Sequence, residues 1–153
     1  MENKLFDSPE QRRVFDVERM AYLIATYESA MFFQTNMRMA KNLITSETLL
    51  RFALSERKIN GLTLEFGVAT GATIKFICNA INKDKVFGFD TFEGIPEDWT
   101  HFQKAGRFSS AGSPPSDLPK NAQLVRGLFE QSLPTFLETH LGQVSFVHVD
   151  SDL

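Results

Sequence analysis

The sequence predicts an α/β fold: a parallel sheet of about four strands with crossover helices, preceded by a helical stretch. Three observations carry this. TLEFGVATGA, residues 63–72, reads as a short strand that breaks into a glycine turn and opens a helix. Strand and helix patterns then alternate, which implies parallel pairing through right-handed crossovers. Finally, residues 144–150 alternate as a half-buried strand does, with Val147 and Val149 on one face and Phe146, His148 and Asp150 on the other.

The chain has 153 residues, 42% hydrophobic and 23% charged, the size and composition of one ordinary domain with its own core. Its formal charge is −3, and the acids gather in the second part: residues 1–60 carry nine Lys or Arg against eight acids, residues 61–153 seven against eleven. With no basic stripe to follow a phosphate backbone, a nucleic-acid partner is not expected. MENKLFDSPEQRR has no apolar signal-peptide core and no stretch approaches a membrane span, so the expectation is a cytoplasmic protein without a membrane partner. Cys78 is the single cysteine, which excludes an internal disulfide, and it reads as a buried helix position.

Taken in order, Ser8-Pro9-Glu10-Gln11 predicts a helix start, with a helix running past Met31. Val14, Val17, Ala21, Ile24 and Met31 share one face of it, a stripe suited to packing. Met31-Phe32-Phe33 and Met37-Arg38-Met39 read as core or interface, with an acceptor pocket as the alternative. A second helix is expected from Thr45 or Ser46, burying Leu49, Leu50, Ala53 and Leu54 and stopping before Gly61. Residues 1–60 would thus form a helical cap, and 61–153 the sheet domain.

In that sheet domain the first strand ends at Gly67, a helix covers Ala72 to about Asn82, and a second strand spans about Lys85 to Asp90. Residues 91–121 form a long connection carrying Trp99, Phe102 and Phe108, rings that either close over a ligand or pin the loop to the body. A third strand is expected at about Gln123 to Arg126, ended by Gly127, then a helix started by Ser132-Leu133-Pro134 and ending near Gly142. Phe129 reads as core, with a contact to a cofactor base as the alternative. The fourth strand runs from Val144 to Asp150.

Gly67 and Gly71 sit where backbone must turn sharply and approach a ligand, and the helix start beyond them offers unpaired N–H groups. The spacing is E-x-G-x-x-x-G, Glu65 to Gly71, and not the G-x-G-x-x-G of dinucleotide sites. An acid beside the turn suits a positively charged ligand. Asp90 follows Gly67 by 23 residues at the second strand's end, near the interval of a ribose-binding acid. Asp150, and Asp152 if the strand continues, project from the fourth strand's carboxyl end, where open α/β sheets bind ligands; oxygen donors there favour Mg²⁺ or Ca²⁺. The alternatives for Asp150 are capping the strand end or contacting a cofactor amino group, and His148 reads as packing.

The segments LEFGVATGAT, VFGFDTFEGIPEDW, LVRGLFEQSLPTFL and VHVDSDL, in that order, resemble class I S-adenosylmethionine-dependent methyltransferases, and among them the macrocin O-methyltransferase group. The resemblance runs from about Gly61 to Leu153. It implies a Rossmann-like three-layer sheet, incomplete here at about four strands of seven, so that the chain reads as the cofactor half of a longer enzyme. It implies S-adenosylmethionine as cofactor, held by the loop motif of Glu65, Gly67 and Gly71, with Thr73 near the methionine carboxylate. Asp90 would grip the ribose diol, Thr91, Phe92 and Gly127 would lie beside the adenine, and Asp150 would be the acid/base or Mg²⁺ position with Asp152 second. The expected reaction is O-methylation of a hydroxylated small molecule. The alternatives are a non-catalytic cofactor-binding module, or one that pairs with a second copy through its open edge strand, and more distantly a dinucleotide oxidoreductase.

Overall fold

The computed structural model describes residues 16–98 and 104–151. The expected helix start at Ser8, and Val14, Trp99, Phe102 and Asp152, lie outside them. The chain divides into two compact units, Met1–Asn42 and Leu43–Leu153.

In the first unit, helix α1 spans Val17–Asn36 and begins at Asp16, whose carboxylate accepts the Arg19 backbone N–H at 3.0 Å. The helix that runs through Met31 is capped at Asp16, whose backbone is extended. Its apolar stripe of Val17, Ala21, Ile24 and Met31 is exposed within this unit.

The second unit opens with α2, Ser46–Ser55, held by a reciprocal capping box between Thr45 and Thr48. Leu54 is buried and Leu50 and Ala53 partly so, but Leu49, expected inside, is 55% exposed. Then follow β1 (Leu62–Phe66), α3 (Ala72–Ile81), β2 (Val86–Asp90), β3 (Ala122–Arg126), α4 (Phe129–Thr139) and β4 (Val144–Val149). All pairings are parallel and the strand order is β3-β2-β1-β4. The sequence order reverses between β1 and β4, which makes their carboxyl ends the switch point of the sheet.

Side-chain alternation divides the core into two layers. Leu54 of α2, Ile74, Ile77 and Cys78 of α3, and Val86, Val68 and Phe92 fill one face. Leu64, Phe87, Phe89 and Phe136 fill the other under α4. Phe89 lies at the centre of the second layer, stacked on Phe66 at 4.9 Å and edge-on to Phe136 at 5.1 Å. Gly88 has a packing reason for being glycine: a Cβ there would come within 2.6 Å of both Ile74 and Val68.

Two expectations change. Helix α4 starts at Phe129, three residues before the Ser-Leu-Pro signal, and ends at Thr139 rather than near Gly142, so Pro134 lies inside it. Ser132, taken as the start, instead turns its hydroxyl back to the Leu128 carbonyl at 2.9 Å. The connection 91–121 is tied to the body where it is described. Ile95 and Gly106–Arg107 exchange backbone bonds, the Ser110 and Gly112 N–H groups donate to the Phe92 carbonyl, and Asn121 donates to the carbonyls of Cys78 and Asp84. Lys75 of α3 meets Asp117 at 2.7 Å. That ammonium holds the Asp117 carboxyl below its usual range. β4 is an end strand, and Val147 and Val149 on its α4-side face are exposed. Among the described residues no helix is long and apolar enough to cross a membrane.

Candidate functional site

A cleft of about 750 Å³ opens at the carboxyl ends of the strands, within the usual range for small-molecule sites. Its lining comes from every strand end: Val68 to Thr70 after β1, Asp90 and Thr91 after β2, Leu128 to Glu130 after β3, and Asp150 with Ser151 after β4. Ala72 and Thr73 of α3 and Ile95, Glu97 and Phe108 of the long connection complete it. The switch point and the cleft coincide.

The bend after β1 is built by close approach. Gly67 has φ +92°, and a Cβ on it would collide with the Asp150 carbonyl. Glycine is therefore required twice, for the left-handed backbone and for the contact with β4. Gly71, φ +81°, is the N-cap of α3 and has no side chain to offer the helix's first N–H groups, and Ala72 and Thr73 of that first turn line the cleft. A Cβ on Gly71 would press on Pro115 and Leu118, the connection's contact with the loop. Ala69 stands where the dinucleotide pattern has its second glycine, and it takes the left-handed conformation at φ +45°.

The three strand-end acids have different surroundings. Asp90 is half-buried on the cleft wall: its Oδ2 accepts the Val68 and Ala69 N–H groups at 2.8 Å each, and its Oδ1 accepts the Phe92 N–H at 2.7 Å. Glu65 does not reach the cleft surface. It is fully buried one layer beneath, facing the α3 side, where Oε1 meets His148 Nδ1 at 3.2 Å and Oε2 has no partner. Burial pushes the Glu65 carboxyl up, and the hydrogen bond to Glu65 raises His148. Asp150 is exposed on the wall opposite Asp90, its backbone N–H tied to the Phe66 carbonyl at 2.8 Å.

Of the residues expected at the cofactor, the structure thus gathers Gly67, Thr73, Asp90, Thr91 and Asp150 at the cleft. Gly71 supports the loop from behind. Phe92, expected beside an adenine, is buried at 2% exposure in the α3-side core, and its left-handed backbone, φ +61°, turns the ring inward. Gly127 is not on the cleft wall; its successors Leu128 and Phe129 are. Phe108 lines the cleft at 55% exposure, while Phe129, edge-on to Phe66 at 5.2 Å, serves both core and cleft. The Glu65–His148 pair escaped the sequence reading of His148 as packing. Its signal was two polar residues at inward positions of strands that prove to be neighbours, Glu65 opposite His148 in register. Among the described residues no three His, Cys, Asp or Glu side chains cluster as a metal site would.

A parallel sheet with a glycine bend and an acid at the switch point defines a nucleoside-cofactor-binding α/β domain. Residues 64–153, more than half the chain, match the family described as a methyltransferase domain. The chain belongs to that methyltransferase-domain family. Among solved structures, the O-methyltransferase NovP is similar, with a TM-score of 0.50 and 21% identity over 70% of this chain and 53% of that one. At that identity the likeness is one of fold. The chain spans about half the length of that structure, and no curated protein matches it.

The cleft fits the family's cofactor on its own chemistry. Its apolar wall of Ile95, Phe108, Leu128 and Phe129 suits a purine face, its acids suit the positive charges, and the open N–H groups of α3 suit a carboxylate.

Proposed function

We propose that this chain forms the cofactor-binding part of an S-adenosylmethionine-dependent O-methyltransferase acting on a hydroxyl of a small molecule, a sugar or natural product, as in the macrocin O-methyltransferase group it resembles. The observation that carries the proposal is the cleft at the β1/β4 switch point, with Asp90 and Asp150 on its walls and a glycine bend as its floor. The cofactor supplies an electrophilic methyl group on a sulfonium. The protein's part is to hold an acceptor oxygen in line with that methyl and to remove its proton. Asp150, exposed on the cleft wall, is the residue placed to do this, either as the base or as one oxygen ligand of a Mg²⁺ ion that lowers the hydroxyl's pKa. A cytoplasmic setting is part of the same reading.

Calorimetry with S-adenosylmethionine is the first test. Wild type is expected to bind and Asp90→Ala to lose binding; unchanged affinity in the variant rules out this cleft. Methyl transfer to a panel of sugar and phenol acceptors, with and without Mg²⁺, tests the activity. Asp150→Asn is expected to retain cofactor affinity and lose turnover. A second reading, a non-catalytic module that pairs with a second copy, is favoured by the exposed valines of end strand β4. Turnover by the chain at concentrations where it sediments as a monomer would exclude it.

A further inference from the structure

The carboxylate at the end of β2 is already engaged. Two carboxylate oxygens offer about four acceptor positions, and in Asp90 backbone N–H groups occupy three of them, at 2.7–2.8 Å. The diol clamp expected of this acid needs two acceptor positions together, and Oδ2 has both of its own filled.

Two of the three donors share a property. Ala69 and Phe92 are two of the five non-glycine residues with left-handed backbone among the described residues, and both give their N–H to this one carboxylate. The third donor, Val68, is the residue between Gly67 and Ala69 in the bend. Asp90's own carbonyl accepts the Gly127 N–H at 3.1 Å, which ties in the end of β3. One residue therefore joins the ends of β1, β2 and β3, and it does so where the backbone is least able to hold itself. A charge-assisted bond to an oriented N–H is the interaction suited to that task.

We propose that Asp90 is a positioning residue, whose carboxylate fixes the bend of Val68 and Ala69 and the turn at Phe92 in their ligand-ready form before any cofactor arrives. The inference rests on the cleft being the cofactor site, and it reassigns what the acid does there. Ribose contact is limited to the single position left on Oδ1. Removing the carboxylate loosens the loop, and affinity falls whether or not the nucleoside carries its hydroxyls.

Two measurements on Asp90→Asn test this. The amide keeps the shape but presents an NH₂ group that cannot accept N–H donors on one side. In ligand-free protein, hydrogen exchange at Val68, Ala69 and Phe92 is expected to quicken at least tenfold, with Ile77 and Cys78 in α3 unchanged. Unchanged exchange at all three loop amides overturns the proposal. Calorimetry with S-adenosylhomocysteine and its 2′-deoxy analogue gives the second readout: the variant should lose affinity for both by the same factor, within about twofold. Loss confined to the ribose form overturns the proposal and restores the clamp. If wild type binds neither probe, the cofactor reading fails, while the exchange result still decides the positioning role. Should Asp90→Asn not fold, Asp90→Glu, which displaces the carboxylate by one methylene, is expected to quicken the same amides.

Discussion

Gly67→Ala tests the construction of the site most directly, because two separate costs fall on one methyl group. The first is conformational: at φ +92° an L-residue is outside its normal regions, at about 1–2 kcal/mol. The second is steric. The new Cβ overlaps the Asp150 carbonyl, with the Asp150 carbonyl carbon at 2.8 Å and the Ser151 nitrogen at 3.2 Å behind it, and all three atoms are backbone. Relief requires β4 to move away from β1, which stretches the 2.8 Å bond from the Asp150 N–H to the Phe66 carbonyl. Losing that bond costs about 1 kcal/mol, and forcing the strands apart adds about 1–3 kcal/mol as overpacking does. Gly106→Ala is the matched control: its φ is +81°, but nothing lies within 4 Å of a Cβ there, so only the first cost applies. The expected difference is at least about 2 kcal/mol, or roughly 4–8 °C in Tm for a chain of this size. Thermal unfolding of the two variants by circular dichroism measures it. Equal Tm values, within about 2 °C, would refute the claim that β1 and β4 meet backbone to backbone under the cleft.

The remaining predictions concern the core and the buried acid. Phe89→Ala is expected to cost about 3–5 kcal/mol in urea unfolding, since the ring is fully buried between Phe66 and Phe136; Phe108→Ala, at an exposed ring, should stay within about 0.5 kcal/mol. Burial pushes the Cys78 thiol up to about 11, so a disulfide reagent at pH 8 should modify it only after denaturation; prompt reaction of the native protein would contradict the α3 packing. Glu65 and His148 both sit above their ordinary values of 4.5 and 6.5, so the folded pair binds more protons than the unfolded chain. Its contribution to stability is complete below those values and declines as pH rises through the raised ones. Unfolding free energies above pH 6.5 should therefore fall more steeply for wild type than for Glu65→Gln, which removes the raised acid and the group that raises His148, and parallel curves would remove the pair from the account.

The parts of the fold that lie in local pattern were legible in the sequence. The strand at Leu62–Phe66, the helix from Ala72 and the alternation of β4 follow from residues within a few positions of one another, and the bends at Gly67 and Gly71 from the same short segment. What escaped depends on register or on backbone donors. Helical spacing puts Leu49 inside together with Leu54, but of the two only Leu54 is buried. Ser132-Leu133-Pro134 resembles a helix start because proline suits the first turn, yet α4 begins at Phe129 with Leu128 as an extended cap that offers no side-chain oxygen. Glu65 and His148 are 83 residues apart, and only the register of β1 against β4 brings them opposite each other. The interval from Gly67 found Asp90, but a sequence does not display the N–H groups a carboxylate will meet.

Burial sorts the strand-end acids into separate tasks. Glu65, fully buried, is engaged by His148 and is not part of the cleft lining. Asp90, half-buried, has its carboxylate taken up by the N–H groups that shape the bend. Asp150 is exposed and reaches the cleft from the strand that the switch point brings beside β1. Of the three, Asp150 alone is both exposed and on the cleft wall, which is why the proposed reading gives the acceptor's proton to it. Because the Asp150 carbonyl also limits Gly67, the position of that acid and the path of the loop are set by the same backbone contact. A substitution that opens the β1/β4 seam should accordingly disturb cofactor affinity and turnover together.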